Sequence, residues 1–187
     1  MTTAKLRFAL VLFVFTIAAS TARAQIGAYL NFTAQHIDSS ARNIGDTAGD
    51  LSDGTWVFGP QLGFYNDFMH LGPLHLGTDF RGSILSHGDA KFNNGMGGLR
   101  ASIHSFALPI SPYVQASAGI AGFNYGRPQG MTKILQYELS GGVDLTVFPR
   151  IDWKLVEIGG GALTTFGKGE DGANGTFHIS TGLAVRF

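Results

Sequence analysis

His178 and Ser180 stand two residues apart, the spacing at which a histidine base and a serine nucleophile can share one face of a strand. A hydrolytic serine needs that base within hydrogen-bond reach and an acid to orient it. Seven charged side chains, Asp79, Arg81, Arg100, Glu138, Asp144, Glu157 and Arg186, are scattered singly along alternating segments rather than clustered as a motif. Of the six histidines, His75 and His104 alone suggest a pair, without a clear carboxylate companion to make a metal set. Gly159-Gly160-Gly161 has no strand-to-helix context, so it reads as relief of crowding and not as a phosphate loop. Asp38, Asp46, Asp50 and Asp53 with Arg42 lack the tight Asp-x-Asp-x-Asp spacing of a calcium loop and read as a solvated segment. No cofactor is implied, no metal site is expected, and with no cysteine there is neither thiol chemistry nor a disulfide framework.

The elements that must position these residues alternate with period two. In the last, Phe177, Ile179, Leu183, Val185 and Phe187 share an apolar face with Thr181, against His178, Ser180, Gly182, Ala184 and Arg186. The same pattern predicts seven earlier strands: Gln25 to Gln35, Trp56 to Tyr65, Pro73 to Ile84, about Met96 to Ser105, Tyr113 to Asn124, Lys133 to Val147 and Asp152 to Thr165. The seventh alternates least cleanly: with Glu157 inward, Trp153 and Leu155 are expected to point inward too. The links after strands one, three, five and seven are expected to be long and polar, including one from Ser86 to Asn94. Those after strands two, four and six are short.

Strands with one apolar and one polar face, and no cysteine, call for closure, because a closed barrel satisfies every backbone group without an edge. Low charge (14%) and 27 glycines suit such a barrel in lipid. The expected fold is all-β: an eight-stranded antiparallel transmembrane up-and-down β-barrel over residues 25–187. Before it, Lys5 and Arg7, the apolar stretch from Phe8 to Ala19 and the Ala22-Arg23-Ala24 site form a secretory signal peptide, residues 1–24, cleaved before Gln25. Without its three basic residues acidic side chains are in excess, and no nucleic-acid partner is expected. A soluble lipocalin-type barrel would invert the faces. Aromatic residues near the strand ends, such as Phe32, Trp56, Phe58, Phe64, Tyr137 and Phe148, argue for a membrane.

The chain resembles the small outer-membrane β-barrel family, OmpA-like and opacity-type. Leu76-Gly-Thr-Asp-Phe-Arg-Gly82, Pro112-Tyr-Val-Gln-Ala-Ser-Ala-Gly119 and Leu183-Ala-Val-Arg-Phe187 carry the likeness across essentially the whole mature chain. No segment after Phe187 corresponds to the peptidoglycan-binding domain of OmpA itself, so cell-wall anchoring is not expected. The resemblance implies a monomer in the outer membrane of a diderm bacterium with both termini periplasmic. Its partners are then outer-membrane lipid and lipopolysaccharide, and the barrel assembly machinery that reads the strand ending at Phe187. The role it implies is structural or surface-exposed, in envelope integrity or loop-mediated contact.

Some relatives in that family modify lipid A, and deacylases among them use a His and a Ser two apart. Here His178 and Ser180 face the lumen and the wider deacylase pattern is absent, so no enzyme is expected. A small non-selective pore is the alternative. The charged residues then line the lumen, where burial forces them to pair. Arg81, Arg100, Glu138 and Glu157 are expected to form a mid-barrel ion-pair network, with Asp79 at similar depth. Asp144 and Arg186 lie nearer the mouth, as partners for each other.

Overall fold

A computed structural model describes residues 25–38, 54–104, 108–124, 132–165 and 174–187. The signal peptide, Arg42, Asp46, Asp50 and Asp53 lie outside these residues. Eight strands follow one another: β1 (Gln25–Ile37), β2 (Thr55–Leu71), β3 (Leu74–His87), β4 (Ala90–Ile103), β5 (Ile110–Asn124), β6 (Thr132–Phe148), β7 (Ile151–Thr165) and β8 (Asn174–Arg186). Each pairs antiparallel with the next, and β8 returns to β1, closing an up-and-down barrel. The Phe187 amide donates to the Ile26 carbonyl at 2.8 Å, extending that closing ladder by one bond. Strands of 13 to 17 residues, tilted as eight-stranded barrels require, are long enough to cross a hydrocarbon layer.

Three links are tight. Gly72-Pro73 joins β2 to β3, Gly88-Asp89 joins β3 to β4, and Pro149-Arg150 joins β6 to β7. Gly88 takes a positive φ of 56°, which glycine adopts without steric cost. The β3–β4 connection corrects the sequence expectation of a long polar link from Ser86 to Asn94. Those residues continue the ladder, with Ser86 opposite Lys91 and Leu85 opposite Phe92. Polar composition there marks strands that extend further, not a loop.

The two faces separate as the alternation requires. Leu30, Leu62, Ile84, Leu99, Val114, Leu139 and Leu183 stand exposed on the outer wall, while polar side chains at intervening positions are buried inside. β7 departs from strict alternation. The ladders shift register at Lys154/Glu157 against β8 and at Val143/Asp144 against β6. This bulge adds a residue and resets the facing. Trp153 therefore points outward, 45% exposed, with its indole Nε1 donating to Thr181 Oγ1 at 3.2 Å, contrary to the inward position expected. Asp152, Lys154 and Glu157 all face the lumen and are buried.

Candidate functional site: the charged lumen

The interior is arranged in tiers. Nearest the loops, Ile37, Val57, Leu85, Ala90, Phe92, Ala121, Phe123, Ile134 and Leu163 form one apolar cluster. Phe92 and Phe123 tilt together with ring centroids 6.2 Å apart. An uncharged polar layer follows. The Asn94 amide donates to Gln136 Oε1 at 2.9 Å, the Ser83 hydroxyl donates to Asn94 Oδ1, and the Asn31 amide donates to Gln61 Oε1 at 3.1 Å.

The charged middle is built around Arg81. Its Nη2 lies 2.5 Å from Glu138 Oε1 and its Nη1 2.8 Å from Glu157 Oε1. His178 bridges the same two carboxylates, with Nδ1 3.1 Å from Glu138 Oε2 and Nε2 3.3 Å from Glu157 Oε1. Ionised carboxylates only accept hydrogen bonds, so a ring that satisfies both carries both protons. The second Glu157 oxygen accepts the Tyr113 hydroxyl at 2.7 Å. Lys154 Nζ lies 2.7 Å from that hydroxyl, 3.4 Å from Asp144 Oδ1 and 4.0 Å from Glu157 Oε2. A glycine at 142 leaves the space that the Tyr113 ring fills; any side chain there would strike it.

Arg100 does not join the glutamates, as the expected four-residue network had it. Its Nη2 pairs with Asp144 Oδ2 at 2.6 Å. Its guanidinium lies between the Tyr65 and Tyr113 rings, 4.2 Å from each centroid, where the ring faces attract a cation. Asp79 accepts from the Tyr29 hydroxyl at 3.0 Å and the Gln115 amide at 2.7 Å. Arg186 pairs with Asp152 at 2.8 Å, not with Asp144, which is already held by Arg100 and Lys154. All seven charged residues singled out in the sequence thus face the lumen, but their partners include three residues that alternation alone did not place: Lys154, Asp152 and Tyr113. The first two are displaced into the lumen by the β7 bulge. The signal for them was the disturbed alternation itself.

At the mouth beside the β2–β3 turn, His75 stacks on His104 with centroids 4.2 Å apart, and His70 meets the edge of His75 at 4.1 Å. Asp67 lies 3.8 Å from His75, a carboxylate companion that the sequence did not reveal. Burial, followed by the neighbouring His75, pushes the His104 imidazole down to about 4. Among the described residues no group of three or more such side chains is arranged to hold a metal ion.

The hydrolytic arrangement does not form. Both ring nitrogens of His178 face carboxylates, and the Ser180 hydroxyl lies 3.5 Å from the Asn31 amide. The face bearing Phe177, Ile179, Leu183, Val185 and Phe187 is the exposed outer face of β8. What the arrangement does chemically is fill and cross-link the lumen. Charges from β3, β4, β6, β7 and β8 neutralise one another with almost no exposure, which only mutual pairing makes tolerable.

Neither a protein-family model nor a curated protein matches the sequence. Solved structures do match the fold. Neisserial surface protein A is 15% identical, with 88% of this chain and 97% of that chain covered and a TM-score of 0.54. Ail, the attachment invasion locus protein of Yersinia pestis, is 12% identical, with 89% and 100% covered and a TM-score of 0.50. This chain therefore has the fold of the small eight-stranded barrels: closed, antiparallel, apolar outside and polar within.

Proposed function

We propose that the protein is an outer-membrane barrel of a diderm bacterium, with its longer loops outside and both termini in the periplasm, whose lumen is a closed strut and not a pore. The carrying observation is the occluded interior. An apolar cluster at the loop end stands over a continuous ion-pair network in which Arg81, Glu138, Glu157, Lys154, Asp144 and Arg100 are all buried. A conducting lumen needs hydrated charge, whereas here each of these charged groups has a charged partner within 4.0 Å. The role is then structural, or is exerted by the loops beyond the wall. Reconstituted into planar bilayers, the protein should give no steady conductance; a large, stable open channel in the wild type overturns the closed strut.

The protein is not a hydrolase in this reading, because its only His-x-Ser pair is committed elsewhere. His178 is a cation fixed between two glutamates and has no lone pair with which to take a proton from Ser180. Ser180→Ala should leave the acylation of lipid A in the host membrane unchanged by mass spectrometry. Altered lipid A with that single substitution restores the enzyme.

A further inference from the structure

Where β2, β3 and β4 meet, the outer wall has a ridge and a groove side by side. The Phe64 and Phe80 rings stack with centroids 5.2 Å apart, and Phe80 leans across Gly97, where an added Cβ would come within 2.9 Å of its ring. Toward the loops the wall drops into an open groove of about 570 Å³, lined by Leu62, Gly82 and Gly95 among others. Gly82 is paired with Gly95, and beside them Gly97 is paired with Ala118. The outward Gly141 and Gly160, by contrast, stand singly: Gly141 lies between Val114 and Ile158, and Gly160 between Leu139 and Phe177. The barrel itself does not require glycine at 95. Its φ is not positive, and a Cβ added to it would meet nothing within 4 Å. Glycine weakens a strand interior, and where neither a turn nor crowding calls for it, close approach of another backbone is a standing reason for it.

Apolarity alone does not decide what covers this groove, because lipid tails are as apolar as leucine. Transmembrane elements associate instead through close packing at small residues and through pairing of polar groups. The same two strands carry the second feature as well. Asp89 in the β3–β4 turn and Lys91, which shares the outer face of β4 with Gly95, are exposed at the loop end. Neither forms an ion pair with any described residue. The hairpin tip thus carries one charge of each sign. An anion drawn to Lys91 would meet the carboxylate beside it. A two-fold axis along the barrel instead sets Lys91 of one protomer against Asp89 of the other, and does so twice.

We infer that two copies of this chain pack through this wall, β3 and β4 against β3 and β4 about a two-fold axis, in place of the monomer that the resemblance implies. The Phe64–Phe80 ridge of one protomer lies in the Gly82–Gly95 groove of its partner, and two Lys91–Asp89 pairs join the hairpin tips. The inference rests on the membrane reading given above, which sets both copies upright in one bilayer.

The chain has no cysteine, so one introduced thiol reports alone. Ser86→Cys on β3 and Thr164→Cys on β7 both occupy outward positions near the loop end, the first beside the hairpin tip and the second on another part of the wall. Each barrel, confirmed folded by its gel mobility before heating, is reconstituted into phosphatidylcholine liposomes and treated with a short bis-maleimide. Covalent dimer is read on a denaturing gel, and Thr164→Cys measures chance collision. Ser86→Cys should give several-fold more dimer than Thr164→Cys. Gly95→Leu should abolish that excess, because the side chain fills the groove without striking its own wall. Lys91→Asp should abolish it too, and Asp89→Lys added to Lys91→Asp should restore it, since the exchanged signs are still complementary. No excess, an excess that survives Gly95→Leu, or a double exchange that fails to restore it would each overturn the interface. An excess that appears only when lipid A is added would overturn it as well, for lipid then bridges the barrels. A protein that fractionates without detergent overturns the membrane reading instead, and so the two failures are distinguishable.

Discussion

In the middle of the lumen, Arg81 is held from two sides by Glu138 and Glu157, and Lys154 and Arg100 share Asp144. Nearer the loops, on the inward face, Leu85, Phe92, Phe123 and Ile134 belong to one buried apolar cluster. Both tiers are buried and both join strands distant in sequence, but by different physics. Ion pairs are directional, and each charge depends on a named partner. Apolar contacts are not directional, and their cost on truncation follows lost area and the cavity left behind. The middle should therefore fail abruptly when one group is removed, and the loop-end tier should fail by degrees.

The sharpest way to break the contrast is Glu157→Ala. That carboxylate faces Arg81, His178, Lys154 and the Tyr113 hydroxyl at once. Its removal leaves the buried cations one counter-charge short, with only Glu138 and Asp144 to hold Arg81, His178 and Lys154, a change of the kind that costs about 3–5 kcal/mol. Urea unfolding of the barrel in detergent micelles, followed by gel mobility, should show that loss. A loss below about 1 kcal/mol would mean that water reaches the middle tier and the charges are not truly buried.

Phe92→Ala tests the other tier. Phe92 is fully buried, and a buried phenylalanine truncated to alanine costs about 3–5 kcal/mol in a closed core. The value here should lie at the lower end, about 3 kcal/mol, because this tier adjoins the loops and can collapse or admit solvent. The comparison sharpens in the second-site behaviour. Phe92→Leu should recover most of the loss, since apolar volume alone is required. Glu157→Gln should recover little, because an amide keeps the shape and not the charge.

The contrast also explains what the sequence revealed and what it hid. Alternation places Asp79, Arg81, Arg100, Glu138, Asp144, Glu157 and Arg186 inside because a charge on a lipid-facing position is prohibitive, so one face of each strand has to be the wet one. The same logic was blind to the loop-end tier. Leu85, Phe92, Ile134 and Leu163 are apolar residues on the inward face, and period two identifies them only if the register of the strand ends is already known. Ser86 to Asn94 has the composition of a loop for that reason: Ser86 and Lys91 are outward, while the apolar Ala90 and Phe92 turn in with Asn94. β7 was illegible for a different cause. A bulge inserts one residue, so a single assignment of facing cannot hold on both sides of it, and Lys154 was missed although it supplies a central cation. The pairing itself lies beyond sequence periodicity: Arg186 meets Asp152 across the end of β7 and not Asp144, a choice made by three-dimensional register.

The mouth beside the β2–β3 turn offers the mildest test, because its imidazoles titrate at a site only partly buried. His104 is stacked on His75 and sits near Arg100 and Arg186, with Asp144 as the opposing charge. Its imidazole is held down to about 4 in the folded barrel, against about 6.5 in an unfolded chain. The folded state therefore favours the neutral ring. That contribution is fully present above pH 6.5 and is lost as the pH falls from 6.5 toward 4, where the unfolded chain takes up the proton first. Solvent screening at a half-buried site limits the effect to under about 1 kcal/mol. Urea midpoints measured at pH 7 and pH 5 should show a small acid-induced fall, and His104→Gln should flatten it. If the fall persists unchanged in His104→Gln but vanishes when His75→Gln is added, the stacked neighbour carries it, because burial and His70 depress that imidazole too. A fall that survives both substitutions belongs to the middle tier, and the directional half of the lumen, not its rim, is then the part that senses pH.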